Sequence, residues 1–313
     1  MSLPAFAPGR ADEAGTGGPD ADVSRALPVR HRWRWISVAV LAVLSAQAVH
    51  MLVFDSRLRW DVVGRYLFDE RILLGLLTTL VLTGLSMAIA TILGVALAVM
   101  RLSSDPVLRA VSAGYVLVLR SVPLLVQLLF WYFLAAVLPT VGLGIPFGPE
   151  FVTFDSNLLI NQFAAALLGL GLHEAAYIAE YVRGGILAVP KGEIEAAMAV
   201  GLRHGRILRR IILPQAVRVI IPAYANSWIS QLKATAMVIV IGTGDLMTQA
   251  QFIYQQNLQQ IPLLTTVTAW YLVLVVLLTA IQRPIERRCR RPYGASPGRR
   301  PWGRRPVTEG VGT

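Results

Sequence analysis

The stretch "ILLGLLTTLVLTGLSMAIATILGVALAVM", from Ile72 to Met100, runs for 29 residues without a charged side chain. About 20 predominantly apolar residues are enough for an α-helix to cross the hydrocarbon layer of a membrane. A second run, Ile261–Ile281, has 21 uncharged residues. The helices of a soluble protein do not need apolar runs of this length. The sequence therefore predicts an all-α protein embedded in a membrane.

The composition of the whole chain agrees with a membrane protein. Of its 313 residues, 55% are hydrophobic and 15% are charged, and the mean hydropathy is +0.58, which lies outside the usual balance of soluble proteins. We predict about six membrane-spanning helices. Their approximate bounds are Ile36–Phe54, Ile72–Val99, Val122–Leu138, Leu158–Ile186, Ala216–Val240 and Ile261–Gln282.

Arginine and lysine residues collect on one side of this topology. With the N-terminus in the cytoplasm, 24 of the 29 basic residues fall in cytoplasmic segments, whereas Pro139–Ser156 and Gly242–Gln260 outside contain none. This bias predicts that both termini are cytoplasmic. The exceptions on the outer side are Arg57, Arg59, Arg65 and Arg71. The net charge of +11 is then explained by topology and by anionic lipid headgroups, and no nucleic-acid partner is predicted.

The two ends of the chain differ from its apolar middle. Residues 1–30 are rich in Gly, Ala, Pro and Asp and are predicted to be a disordered cytoplasmic segment. Residues 31–70 are predicted to form an extra transmembrane helix and a periplasmic connector. Residues 286–313 are a basic cytoplasmic tail, expected to lie against the inner leaflet. Cys289 is the only cysteine, so no intrachain disulfide can form and a metal site is not expected.

A charged stretch interrupts the apolar runs between the fourth and fifth predicted spans: "EAAMAVGLRHGRILRRIILPQA", Glu195–Ala216. Pro190 and the acidic Glu193 and Glu195 favour the start of a helix here, because carboxylates are stabilised at the positive end of the helix dipole. Small alanines follow, and Gly201 permits a turn that a side chain would resist. A second helical stretch is predicted over Gly205–Ile212.

This loop has two interpretations on physical grounds. The second helical stretch sets Arg203, Arg206 and Arg210 along one face, and such a face suits an interfacial helix whose arginines contact lipid phosphates. Alternatively, the small residues Ala196, Ala197 and Ala199 let another protein approach the backbone closely. In both interpretations Pro214 closes the loop before the chain returns to the membrane.

The spacing within the loop resembles a known signature. Glu195-Ala196-Ala197, three residues, Gly201, nine residues and then Ile211-x-Leu213-Pro214 is similar to the cytoplasmic coupling loop of bacterial ABC importer permeases. Three further stretches resemble the polar amino-acid branch of that family, the histidine, glutamine and arginine permeases. They are "RSVPLLVQLLFWYF" (Arg120–Phe133), "AAYIAEYVRGGILAVPKGEIEAA" (Ala175–Ala197) and "LPQAVRVIIPAYANSWISQLKATA" (Leu213–Ala236).

The resemblance implies a fold and a set of partners. It implies a five-helix type I permease core over residues 71–285, with a coupling loop at 190–216 that docks on a separate ATP-hydrolysing subunit, which would carry ATP and Mg²⁺. The loop residues implied in docking are Glu195, Ala196, Ala197, Gly201, Arg203, Ile211, Leu213 and Pro214. Further implied partners are a periplasmic or lipid-anchored substrate-binding protein, a second copy or a homologous permease, an amino-acid substrate and lipids of the bacterial cytoplasmic membrane.

The chain departs from this family pattern in two places. It has Lys233-Ala234-Thr235-Ala236 where the branch usually has Lys-Asp-Thr-Ser, which puts the details of the substrate site in doubt. It also has six predicted spans where the branch often has five, and the additional one, Ile36–Phe54, is expected to be peripheral.

No catalytic machinery is apparent in the chain. No stretch matches the phosphate-binding pattern G-x-x-x-x-G-K-[ST], whose backbone amides and lysine hold nucleotide phosphates. No nucleophile and base are spaced for catalysis within a membrane face. We therefore expect no enzyme activity and no cofactor in this chain, and ATP hydrolysis on a partner.

Ionisable residues inside spans are costly and call for a specific role. Glu180 and Arg183 are three residues apart on one helix face and are predicted to pair. Glu174 has Tyr177 on its own face, and Lys233 lies at a similar depth in the fifth span. Two interpretations stay open: Glu174 and Lys233 form a buried ion pair, or Glu174 binds the α-ammonium group and Lys233 the carboxylate of an amino acid.

The alternative functions belong to other classes. An ion-coupled secondary amino-acid carrier would use Glu174 as its coupling site and would need no ATPase. Such a carrier has no reason to keep Glu195, Gly201 and Pro214 at these spacings, and carriers often show internal repeats, which we do not find. A membrane-embedded enzyme or scaffold is the remaining alternative, but it lacks a reactive constellation.

The predicted topology can be checked by labelling cysteines in intact cells. A cysteine introduced within Leu143–Gly148 should react with a membrane-impermeant thiol reagent from outside, and one introduced at Arg203 only after permeabilisation. Labelling of the Arg203→Cys variant in intact cells would place the charged loop outside and would remove the argument for an ATPase partner.

Overall fold

The computed structural model describes residues 32–54, 58–138, 140–144, 150–155 and 160–289. The predicted disordered segment 1–30 and most of the basic tail 286–313 lie outside the described residues. The chain divides into two compact units, residues 1–56 and residues 57–313.

The first unit contains one described helix, α1 (Arg32–Phe54). Apolar residues lie around its whole circumference, so the helix has no polar face of the kind that a surface helix turns to water. It corresponds to the predicted extra span Ile36–Phe54. Its most apolar stretch, Trp35–Met51, is slightly shorter than a full membrane crossing requires.

The second unit begins with four helices. They are α2 (Trp60–Leu67), α3 (Glu70–Leu102), α4 (Pro106–Ser121) and α5 (Leu124–Val137). Helix α3 starts where the Asp69 side chain accepts a hydrogen bond from the Arg71 backbone N–H at 3.0 Å. The Asp105 side chain caps α4 by accepting from the Val107 N–H at 2.7 Å. Such capping satisfies backbone donors that have no partner within the helix.

A short hairpin follows α5 in the predicted outer loop. Strand β1 (Thr140–Gly144) pairs antiparallel with β2 (Glu150–Asp155), and Thr140 lies opposite Asp155. This hairpin is the strand structure of the described part of the chain, which is otherwise helical. The predicted helical fold class is therefore confirmed with this small addition.

The remaining helices follow in chain order. They are α6 (Gln162–Leu187), α7 (Lys191–Ala199), α8 (His204–Ile207), a π-helical turn (Leu208–Ile212), α9 (Leu213–Ala234), a 3₁₀ segment (Thr235–Ile241), α10 (Leu246–Asn257) and α11 (Gln260–Cys289). The α10 helix lies within the predicted outer loop Gly242–Gln260 and begins at Asp245, whose carboxylate accepts from the backbone of Met247 and Thr248.

Helices α3 and α6 make the most extensive helix–helix contact of the second unit, and they run parallel. A Cβ at Gly94 would lie 2.8 Å from Ile178 and 2.9 Å from the Ala175 carbonyl oxygen, and a Cβ at Gly171 would lie 3.1 Å from Ile89. Small residues at such positions let two backbones approach closely, which drives helix packing in membranes. The core around this contact consists of Met87, Ala90, Leu97, Val116, Ala175, Ala176, Ile178 and Ala179.

The count of spans in the described residues is lower than predicted. Helices α3 and α11 are each long and apolar enough to cross a membrane, and two bent pairs raise the number to four at most. The first pair is Pro106–Ser121 with Leu124–Leu134, which meet at 105°, and the second is His204–Ile241 with Leu246–Asn257, at 43°. Helix α6 has 26 residues but carries His173 and Glu174 near its middle. The six-span topology therefore stays a prediction.

The predicted third span, Val122–Leu138, needs a correction. Helix α5 has only 14 residues, which at 1.5 Å per residue is too short for a hydrocarbon layer of about 30 Å. Helix α5 is long and apolar enough to span a membrane only together with α4, which the basic residues predict to be cytoplasmic, and the pair is bent by 105°, as in a broken span or a re-entrant loop. The chain bends at Val122 and Pro123 because proline fixes its own φ and disfavours a helical residue before it.

The α3–α6 contact generates a stability prediction. The Gly94→Ala variant should lose about 1–3 kcal/mol, because the added methyl group overpacks the contact with Ile178, and its apparent melting temperature in detergent should fall. The matched control is Gly84→Ala on the same helix, where nothing lies within 4 Å of the added Cβ. Size-exclusion chromatography after heating measures both. Equal melting temperatures for the two variants would contradict the proposed role of the contact.

Candidate functional site

A cavity of about 210 Å³ lies between α5, α6 and α9. Seven of its nine lining residues carry a polar side-chain group, although it is surrounded by apolar helices. Its lining residues are Leu124, His173, Glu174, Tyr177, Tyr181, Ser227, Ser230, Gln231 and Ala234. Polar groups that converge in a cavity within a membrane mark a candidate binding site.

Glu174 and the two tyrosines reach this cavity from one face of α6. Tyr177 and Tyr181 follow Glu174 by three and seven residues, and positions with this spacing lie above one another on a helix. The Glu174 side chain is buried, with 7% of the residue exposed. Across the cavity, the buried Ser227 hydroxyl faces the Glu174 carboxyl group but makes no hydrogen bond of ordinary geometry with the described residues. A polar ligand atom would satisfy it.

His173 is held in place by two neighbours. Its Nδ1 lies 3.0 Å from Gln127 Nε2, and its ring packs against Tyr177 with 5.2 Å between the ring centroids. Gln127 Nε2 also donates to the Leu119 and Val122 carbonyl oxygens, each at 2.8 Å, and so ties the bend between α4 and α5 to α6. His173 thus acts as a packing and hydrogen-bonding residue. Within the described ranges, no three His, Cys, Asp or Glu side chains come together as metal ligands would.

The structure does not bring Lys233 to Glu174. Lys233 is exposed and does not line the cavity, whereas its neighbours Ser230, Gln231 and Ala234 do. Among the described residues, the salt bridges are Arg59–Asp61, Arg71–Asp69 and Arg183–Glu180. Neither the buried ion pair nor the zwitterion site with Lys233 is therefore formed within one chain. The rotation of α9 about its axis turns Lys233 away from the cavity. The sequence indicates only that Lys233 and Glu174 lie at similar depths in their helices, and it does not indicate this rotation.

The predicted pair of Glu180 and Arg183 is present. Arg183 Nη2 lies 2.7 Å from Glu180 Oε2, and Arg183 Nε lies 3.1 Å from both carboxylate oxygens. Tyr177 lies one turn earlier on α6. The guanidinium group of Arg120, from α4, lies over the Tyr177 ring, 4.9 Å from its centroid. This distance is within the range of a cation–π interaction.

A second candidate site is the loop at 190–216, where Gly201 ends α7. Gly201 has a φ of +80°, its N–H donates to the Met198 carbonyl oxygen at 2.9 Å, and the Leu202 N–H donates to the Ala197 carbonyl oxygen at 3.1 Å. These two bonds form a Schellman motif, whose left-handed residue is usually glycine. The predicted turn at Gly201 is confirmed.

The loop presents an unusual surface for a charged segment. Val200 is 76% exposed and Met198 44% exposed, while Ala197 is buried. A groove of about 440 Å³ lies beside them, lined by Glu193, Ala196, Ala197, Val200, Leu202, Arg210, Ile211 and Gln215. Exposed apolar side chains beside small residues are typical of a surface that contacts another protein.

The second half of the loop differs from its prediction. The chain forms α8, passes through a π-helical turn at Leu208–Ile212 and continues into α9 at Leu213. Pro214 is the second residue of α9 and directly follows the π-helical turn, so it does not close a separate loop helix. Gln215 in α9 donates through Nε2 to Glu193 in α7. The loop and α9 are therefore connected directly.

A match with a protein family bears on the function of the chain. Residues 90–291 match the family described as the binding-protein-dependent transport system inner membrane component. The chain belongs to this family. The matched range includes the cavity and the loop, and this membership does not support the ion-coupled secondary carrier.

Curated members of the family are similar over most of the chain. The arginine transport system permease protein ArgU of Corynebacterium glutamicum is 39% identical over 277 residues, 86% of each chain. The arginine transport system permease protein ArtQ of Bacillus subtilis is 36% identical over 69% of this chain and 91% of its own. A crystal structure of an amino acid ABC transporter with histidines is 33% identical over 71% of this chain and 95% of that chain, with a TM-score of 0.61.

Several residues of the two sites escape sequence reasoning. Ser227, Ser230 and Gln231 are polar residues within an apolar stretch at helical spacing, so they carry a signal that could have identified them as cavity residues. Gln127 and Arg120 carry none, because their contacts with His173 and Tyr177 join helices about 50 residues apart in the chain. The Glu193–Gln215 contact is likewise set by tertiary packing.

The Schellman motif generates a prediction for the coupling of the loop. The Gly201→Val variant should lose most uptake, because a β-branched residue is strained at positive φ and the groove beside Ala197 would be displaced. Insertion into the membrane should be unchanged, since the loop is predicted to lie outside the bilayer. The matched control is Gly205→Val, an exposed position where nothing lies within 4 Å of the Cβ. Wild-type uptake by the Gly201→Val variant at equal expression would mean that the loop is only an interfacial segment.

Proposed function

We propose that this chain is the permease subunit of an ABC importer that carries amino acids into the bacterial cytoplasm, driven by ATP hydrolysis on a separate subunit. The observation that carries the proposal is the loop: the Glu195-Ala196-Ala197 helix ends at a left-handed Gly201 and exposes Val200 and Met198 beside a groove. L-Arginine is the first substrate to test, because two of the similar permeases are named for arginine transport.

The loop has a structural route for moving the cavity wall. Helix α8, the π-helical turn and α9 form one continuous path, and Glu193 is hydrogen-bonded to Gln215 at the start of α9. Helix α9 also supplies Ser227, Ser230 and Gln231 to the cavity. A displacement of α7 by an ATPase would therefore be passed to one wall of the cavity. π-Helical turns are frequent at functional sites in helices, and this one lies where the loop joins α9.

The cavity is suited to the ammonium end of an amino acid. Glu174 on α6 supplies a buried carboxylate, and the Ser227 and Ser230 hydroxyl groups lie in the facing wall, on α9. A charge-assisted hydrogen bond from an α-ammonium group to Glu174 would offset the cost of removing both charges from water. The cavity volume of about 210 Å³ is below the 300–1,000 Å³ of typical ligand pockets. We infer that a second permease copy, or a homologous permease, completes the site.

The remaining partners follow from the same proposal. The ATPase would bind ATP and Mg²⁺ and dock on the loop residues Glu195, Ala196, Ala197, Gly201, Arg203, Ile211, Leu213 and Pro214. A periplasmic or lipid-anchored binding protein would deliver the amino acid to the outer side, where the β1–β2 hairpin and α10 are predicted to lie. Both termini would then be in the cytoplasm.

Reconstitution tests the proposed function. The chain is purified with its co-expressed ATPase, placed in liposomes and mixed with the binding protein, and ATP hydrolysis is measured with each amino acid, starting with L-arginine. Hydrolysis should rise several-fold with the transported amino acid, together with its uptake. Uptake that follows an imposed proton or sodium gradient and does not need ATP would contradict the proposal.

The Glu174 carboxylate generates a prediction for substrate affinity. The Glu174→Gln variant keeps the shape of the side chain but loses a charge-assisted hydrogen bond worth about 1.5–3 kcal/mol. The apparent affinity for transport should fall about ten- to a hundredfold. Basal ATP hydrolysis should remain, because the loop is unchanged. The matched control is Glu70→Gln, an exposed position in the first turn of α3. Unchanged transport kinetics in the Glu174→Gln variant would remove Glu174 from the site.

A further inference from the structure

A second cavity, larger than the one at Glu174, opens between α3, α4 and α6. Its volume is about 420 Å³, and we call it the arginine cleft. It is lined by Arg101, Ala113, Val116, Leu117, Arg120, Ser121, Tyr177 and Glu180. Arg101 ends α3 and Arg120 ends α4, so two separate helices each deliver a guanidinium group to the same space.

The charges in the arginine cleft do not balance. The Glu180 carboxylate is paired with Arg183 through contacts of 2.7 and 3.1 Å. Arg101 and Arg120 form no salt bridge with a carboxylate in the described part of the chain. Arg101 donates to the Arg109 carbonyl oxygen at 3.4 Å, and Arg120 lies over Tyr177. The guanidinium groups of Arg101 and Arg120 therefore share the cleft with a single carboxylate, Glu180, which is already paired with Arg183, and the cleft carries an excess of positive charge.

Tyr177 forms a wall between the two cavities. Its ring packs on His173 on one side and lies under Arg120 on the other, and it lines both spaces. Because α3 and α6 run parallel, the step from Glu174 to Glu180 leads toward Arg101, at the end of α3. The basic residues predict that this end faces the cytoplasm. The arginine cleft thus lies on the inner side of the Glu174 cavity, separated from it by one aromatic ring.

We propose that the arginine cleft is a second binding site, which takes the α-carboxylate of an amino acid after it has passed Tyr177. Guanidinium groups bind carboxylates by charge-assisted, often bidentate hydrogen bonds. The proposal rests on the proposed function for the identity of the ligand. A lipid phosphate of the inner leaflet offers a related oxyanion, and the test separates the two sources.

The test uses cysteine reporters in the assembled complex. Cys289 is replaced by serine, and Ser121→Cys reports on the arginine cleft while Ser230→Cys reports on the Glu174 cavity; both serines are exposed and line their respective cavities. The complex of permease and ATPase is placed in lipid nanodiscs, where both faces are accessible. The rate of modification is measured with an anionic and a cationic methanethiosulfonate. L-Arginine is the ligand, and agmatine, which lacks the carboxylate, is its matched control.

The unbalanced charge predicts a specific pattern. The anionic reagent should modify the Ser121→Cys variant faster than the cationic reagent, and L-arginine should slow this reaction while agmatine does not. Adding Arg120→Gln should remove the preference for the anionic reagent and raise the L-arginine concentration needed for protection about ten- to a hundredfold. Arg109→Gln, on the same helix but outside the cleft, is the control that should change neither. Protection of the Ser230→Cys variant should persist with Arg120→Gln.

Other outcomes would overturn the proposal. Equal protection of the Ser121→Cys variant by agmatine would show that the carboxylate is not recognised, and no protection at all would show that no amino acid binds there. Nanodiscs of phosphatidylcholine are compared with nanodiscs that contain phosphatidylglycerol. If only the anionic lipid slows modification, and Arg120→Gln abolishes that effect, the cleft holds a lipid headgroup instead.

The two reporters also separate this proposal from the proposed function. Protection at Ser230→Cys without protection at Ser121→Cys would leave the Glu174 cavity as the substrate site and eliminate the second site. Protection at Ser121→Cys alone would support the arginine cleft and contradict the assignment of the Glu174 cavity.

Discussion

The close parallel contact of α3 and α6 is the constraint on which both cavities depend. At Gly94 and Gly171 the two helices approach so closely that a single added Cβ would meet Ile178 or Ile89. Without a hydrophobic driving force between helices in lipid, such van der Waals contact is a main source of association. The contact sets the rotation of α6 and thereby decides which way Glu174, Tyr177 and Glu180 point. It also places Arg101 of α3 within reach of Glu180 and Arg120.

Helix α6 consequently supplies polar and ionisable side chains to both cavities, and such side chains are costly to place within a membrane. His173 and Glu174 near its centre keep it from being an apolar span by composition, and each is accommodated by neighbours: His173 by Gln127, and Glu174 by burial against the wall of α9. A buried carboxylate without a basic partner among the described residues leaves an interaction open for a ligand. The neutral hydroxyl groups of Ser227 and Ser230 then tune the cavity without cancelling this charge.

The loop at 190–216 continues into α9, which supplies one wall of the cavity. The hydrogen bond from Gln215 to Glu193 and the unbroken path from α8 into α9 make the loop an extension of one cavity wall. The π-helical turn at Leu208–Ile212 lies between the α7 surface proposed to dock on the ATPase and the α9 wall of the cavity. Tyr177, with the Arg120 guanidinium over its ring, lies in the α6 wall of the cavity, and α6 itself leads directly into the loop.

The sequence by itself determined the features that depend on one helix or one turn. Uninterrupted apolar runs require helices in a membrane because backbone groups must be paired internally, an i,i+3 spacing brings Glu180 to Arg183, and a loop glycine marks the left-handed residue at 201. Only the tertiary structure decided which helix faces meet. It placed Lys233 away from Glu174, bent the chain between α4 and α5, and laid Arg120 over Tyr177. Spacing along a chain specifies neighbours within a helix, whereas the rotation of one helix against another is set by packing at a few small residues that the sequence does not pair in advance.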